Sequence, residues 1–107
     1  MTEPAARHGR LAPRDAAPAR GERTFPLASG TGFAVEQIIS GQLDAPQDYD
    51  QDHDEWVVLL EGAATLDVEG ETQDLVAGDW LLLRAHVRHR VTATAAGTRW
   101  LAVHLPA

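Results

Sequence analysis

From Phe25 onward the apolar residues fall into short extended runs, near Phe33 to Ile39, Tyr49 to Glu61, Ala63 to Val68, Thr72 to Val76, Trp80 to Leu83, His89 to Thr94 and Arg99 to Leu105. Turn-forming residues punctuate them: Ser40-Gly41, Asp44-Ala45-Pro46, Glu69-Gly70, Ala77-Gly78-Asp79 and Ala96-Gly97. Each can supply a positive φ or a turn closed by a side chain. Short runs with turn signals every roughly eight to twelve residues predict an all-β sandwich or barrel. No segment sustains a helical period with caps, so little helix is expected. Leu66 to Glu71 reads as a hairpin turning at Glu69-Gly70.

One run constrains the packing further. If Tyr49 to Glu61 is mainly extended, Gln51, His53, Glu55, Val57 and Leu59 share one face, and Trp56, Val58 and Leu60 the other. Both faces are apolar near the middle, so the outer row needs a cover, either a partner subunit or the N-terminal segment. A homodimer through the outer face of the Trp56 strand is the expected arrangement.

The first 23 residues differ from the rest. They hold Pro4, Pro13 and Pro18 and many alanines but no aromatic side chain, and so offer little to bury against the entropy of ordering. They are expected to be a flexible arm, dispensable for folding, with a domain over residues 24–107. Arg7, Arg10, Arg14, Arg20 and Arg23 lie in this arm, although the whole chain carries a formal charge of -7. The body is therefore markedly acidic and would repel a polyanion, which argues against nucleic-acid binding. No apolar stretch approaches the roughly 18 residues of a membrane span. There is no secretory pattern at the start, and the absence of cysteine removes disulfides, thiolate nucleophiles and sulfur ligands. A cytoplasmic protein is expected.

The stretch Asp54-Glu55-Trp56-Val57-Val58-Leu59-Leu60-Glu61-Gly62, the acidic hairpin after it, then Leu75 to Trp80 and Arg84 to Val91, resemble the two sequence motifs of the cupin superfamily. The resemblance runs from about Asp48 to Leu105. Glu55, followed by six residues and Gly62, fits the second half of the first motif, and Gly78 and His89 fall in register with the second. The resemblance implies a double-stranded β-helix, the cupin jelly roll, that holds a small molecule and often a metal. The departures are specific. Tyr49 and Gln51 stand where the first motif has its two histidines, Leu43 where it has its opening glycine, and Arg84, His86 and Ala93 where the second motif has proline, glycine and asparagine.

The residues themselves partly restore a site. His53 and Glu55 are two apart, and His89 would approach from a neighbouring strand. Two imidazoles and a carboxylate can hold a divalent ion with open positions, and Gln51 could add a carbonyl oxygen. The expected metal ligands are thus His89, Glu55, His53 and Gln51, for Fe, Mn, Ni or Zn without distinction. An inward Glu55 would in any case need a metal, a hydrogen bond or a proton. His86 is expected on a surface loop, and His104 as a packed strand residue or a group that supports the site's ligands from behind. Trp56, Trp80 and Trp100 are expected in the core or an interface. No phosphate-binding loop or nucleophile elbow is present, and no carboxylate pair stands out for glycoside hydrolysis. Two readings follow: a small-molecule-binding cupin with one divalent metal, or a metal-free binding or sensory module.

Overall fold

The computed structural model describes residues 5–43 and 45–106. The first four residues of the expected arm, Asp44 of the expected Asp44-Ala45-Pro46 turn, and Ala107 lie outside the described residues. Nine strands are present among those described: β1 (Glu22–Gly30), β2 (Phe33–Ser40), β3 (Gln47–Tyr49), β4 (Asp54–Glu61), β5 (Ala63–Val68), β6 (Glu71–Val76), β7 (Trp80–Leu83), β8 (His89–Thr94) and β9 (Thr98–Leu105). They form a five-stranded sheet in the order β1-β2-β9-β4-β7 and a four-stranded sheet in the order β3-β8-β5-β6. Every pairing of named strands is antiparallel. Apart from a 3-10 turn at Arg14–Ala16, no helix occurs among the described residues.

Alternation makes the core. Along β4, Glu55, Val57 and Leu59 are buried while Trp56, Val58 and Leu60 are only half-buried, as the two-residue period of a strand requires. Val57, Leu59, Leu83, Trp100 and Ala102 of one sheet meet Ala64, Leu66, Leu75 and Val91 of the other in a single cluster. The two sheets are therefore packed face to face over one core, a sandwich as the runs predict and the jelly roll that the resemblance implies. Glu69 and Gly70 both take positive φ at the β5–β6 hairpin, with Val68 opposite Glu71. The Asp67 carboxylate accepts the Gly70 amide at 2.8 Å and closes that turn.

The apolar pattern does not mark β1. It is an exposed edge strand whose pairing with β2 shifts between Pro26 and Ala28, where a proline can be tolerated. The expected boundary at residue 23 falls inside this strand. Within the expected flexible arm, residues 5–10 are exposed, but Ala12, Ala19 and Gly21 are bonded to the body through their backbone groups. The fully buried Gln37 side chain accepts the Ala12 amide at 2.8 Å and donates to the Ala12 carbonyl at 2.9 Å. Further along, the Gly41 amide donates to Gly21 at 2.7 Å and the Gln42 amide to Ala19 at 3.2 Å. A Cβ on Gly41 would collide with the Pro18 carbonyl, so glycine permits this close approach. Composition alone misses such docking, because it uses a glutamine and main-chain groups in place of large apolar side chains.

No helix of the described residues is long and apolar enough to cross a membrane.

Candidate functional site

Between the sheets lies a cavity of about 220 Å³. Ile38, Val57, Leu66, Leu83, Val91 and Trp100 supply its apolar walls, and Glu22, Glu36, Glu55, His89, His104, Tyr49 and Gln51 its polar groups. Strand parity explains most of this set. Glu36 and Ile38 alternate on β2 opposite Ala102 and Trp100 of β9, and Glu55 pairs with His104 across β4 and β9. A wider hollow of about 640 Å³, rimmed by Asp67, Glu69 and Arg88, shares only Tyr49 and His89 with it.

His89 is 7% exposed, and its Nδ1 lies 3.1 Å from the Val87 carbonyl. A carbonyl only accepts, so Nδ1 carries a proton, which leaves Nε2 as the nitrogen that can face a ligand. Tyr49 stacks on this imidazole with centroids 5.2 Å apart and planes 10° from parallel. The Tyr49 hydroxyl donates to Glu22 at 3.3 Å. Burial, then the charge of Glu22 and the hydrogen bond to it, and lastly the charge of Glu55 push the phenol well above its usual range. Tyr49 is thus a fixed donor. Glu22 is exposed as a residue at the cavity mouth, yet enough protein crowds its carboxyl that burial raises its pKa; the Tyr49 bond opposes the rise, and the charges of Glu55 and Glu36 add to it.

Glu55 is also 7% exposed and lines the cavity. Among the described residues its carboxylate has no hydrogen-bond or ion-pair partner. A second feature runs from the surface inward. Asp52 lies 3.1 Å from His53 Nδ1, His53 Nε2 lies 2.9 Å from His104 Nδ1, and His104 Nε2 lies 2.9 Å from Glu36. Three contacts need three protons, and two neutral imidazoles bring two. The chain of four groups is fully bonded only when it holds one proton more. The Asp52 carboxyl is held below its usual range by its hydrogen bond from His53.

The cupin domain model, Cupin_2, matches residues 34–104. A crystal structure from Ralstonia eutropha JMP134, provisionally named a mannose-6-phosphate isomerase, is 39% identical, with a TM-score of 0.81 over 95% of this chain and 100% of its own. The chain belongs to the cupin family. Two more distant cupin structures share its fold. Ectoine synthase from P. lautus is 23% identical with a TM-score of 0.70, covering 80% of this chain and 64% of its own. The cupin domain of an XRE family transcriptional regulator from Enterobacter cloacae is 16% identical with a TM-score of 0.70, covering 82% and 99%. No curated protein matches the sequence.

Of the residues expected to bind metal in this cupin, the structure brings Gln51, Glu55 and His89 to one cavity. His53 is not in its lining. The extended run expected from Tyr49 to Glu61 is broken, since β3 ends at Tyr49 and β4 begins at Asp54. A bend at Asp52-His53 turns the imidazole toward His104, and both its ring nitrogens are engaged. Among the described residues no three His, Asp or Glu side chains are grouped so as to hold a metal ion. A third ligand beside Glu55 and His89 would have to be the Gln51 amide oxygen, since Tyr49, which replaces a motif histidine, is committed to Glu22. Reasoning from the sequence missed Glu22, Glu36 and Tyr49 as cavity residues and left His104 open between packing and the site. Glu36 and His104 carried a signal, as polar members at inward positions of otherwise apolar runs.

Proposed function

We propose that this cupin binds a small molecule in the inter-sheet cavity with its own side chains and without a resident metal. The observation that carries the reading is Glu55, a buried carboxylate facing the cavity with no protein partner among the described residues. A buried charge left unpaired is costly, so the position is explained by a ligand that satisfies it. His89, with a free Nε2, and Tyr49, a fixed donor, would orient such a ligand over apolar walls. The other reading has a divalent ion on His89, Glu55 and His53, with Gln51 possible; its weak point is His53, whose ring is turned to His104.

A thermal-shift screen of small metabolites in the presence of EDTA tests this. A ligand at a hundred times its Kd stabilises by about 2.7 kcal/mol, several degrees for a domain of this size. The expected outcome is a ligand that raises the melting temperature of the parent but not of Glu55→Gln or His89→Ala. Ligands that stabilise all three proteins equally would place binding elsewhere and contradict the reading.

A further inference from the structure

We propose that the ligand of this cavity is a small organic cation, an ammonium or guanidinium group on a short apolar chain. This rests on the cavity being the ligand site and adds the charge of what it accepts. Glu22, Glu36 and Glu55 all face the cavity, and no arginine or lysine lines it. The arginines beside the sheet rims are occupied outside it: Arg90 with Asp48, Arg84 with Asp54, Arg99 with Glu61. His104 is turned to Glu36, and His89 Nδ1 to a carbonyl, so neither imidazole reaches Glu55 with a hydrogen bond.

The acidic groups alone would not make a site. Glu55 adds the independent observation, being 93% buried, aimed into the cavity and unpartnered among the described residues. An anionic ligand would add like charge in a desolvated space, and a ligand without a donor would leave the Glu55 oxygens unsatisfied. A cation resolves both. The walls of Ile38, Val57, Leu83 and Trp100 fit an alkyl body, and about 220 Å³ lies below the roughly 300–1,000 Å³ of drug-sized sites, so the body is short.

The experiment is a nitrogen-15 NMR titration of the full chain in EDTA at constant ionic strength, with n-butylammonium, n-butanol and butyrate as probes of one length and three charges. Butylammonium should move the amides of Glu55, His89 and Glu36 and bind at least tenfold more tightly than butanol, with butyrate moving none of them. Glu55→Gln should weaken butylammonium at least fivefold, and Glu36→Gln, measured in parallel, should weaken it less. Butanol or butyrate binding the cavity as well as the cation would overturn the charge class while leaving the cavity as a ligand site. If no probe moves cavity amides, the cavity reading falls with it.

Discussion

At the scale of single residues, one position shows how a departure from the cupin pattern is felt. His86 stands where the second motif has a glycine, and it takes a φ of +65°, a left-handed conformation that costs a side-chain-bearing residue about 1 kcal/mol or more. Its amide donates to the Gln51 carbonyl at 2.7 Å, which keeps the backbone there. His86→Gly should therefore stabilise the fold by about 0.5–1 kcal/mol in urea titrations, less whatever the exposed contact to Asp50 contributes. A loss of stability would show that the strain is absent. Glu22 gives the pH dependence. Its folded pKa lies above the ordinary 4.5, burial being the main cause, so the folded chain takes up this proton first as pH falls. Ionised Glu22 thus opposes folding above that folded value, and the penalty disappears as pH drops to the ordinary one. Glu22→Gln, which can still accept from Tyr49, should be more stable than the parent at pH 7, and the gap should close below about pH 4.5. A gap equal at both pH values would contradict the assignment.

At the scale of elements, Gln37 clamps the N-terminal segment at Ala12, ahead of the bonds that Ala19 and Gly21 make to the residues after β2. Gln37 and Ile39 point to the outer face of the five-stranded sheet, yet both are fully buried, and Ala12 lies on the Gln37 amide. Gln37→Ala removes two hydrogen bonds and opens a void, and should lower stability by about 2–3 kcal/mol and speed proteolysis of the segment before Gly21. Unchanged stability would mean that the segment is as dispensable as its composition suggests. The same scale explains what could be read beforehand. His89 and Glu55 were legible because strand parity and motif register agree on each. His53 was not, because the parity argument assumed a continuous strand where the chain bends. Ala93, which simple alternation after His89 and Val91 would turn inward, is exposed because the pairing of β5 with β8 shifts between Thr65 and Leu66. Glu22 was hidden in an edge strand whose apolar signal is too weak to mark it, with Pro26 inside it.

At the scale of the whole molecule, the outer face of the five-stranded sheet remains apolar beyond the reach of the N-terminal clamp. Trp80 is 59% and Leu82 42% exposed, and Trp56 packs on Trp80 with ring centroids 6.2 Å apart. Val58 continues the row on β4. Burial of such a patch at about 25 cal/mol per Å² would drive self-association against the entropy of binding. We propose a homodimer through this face, and Trp80→Glu should shift sedimentation at micromolar concentration from dimer to monomer without loss of fold. A parent protein that sediments as a clean monomer would contradict it.

The central claim is that the cavity works through its own side chains, with Glu55 left for a ligand and no metal between them. Elemental analysis of untagged protein, purified without chelators and then dialysed, tests it most directly. The account predicts far less than one divalent metal per chain, with no change in His89→Ala. About one tightly held metal per chain, lost in His89→Ala and in Glu55→Gln, would contradict it and restore the metal site expected from the sequence.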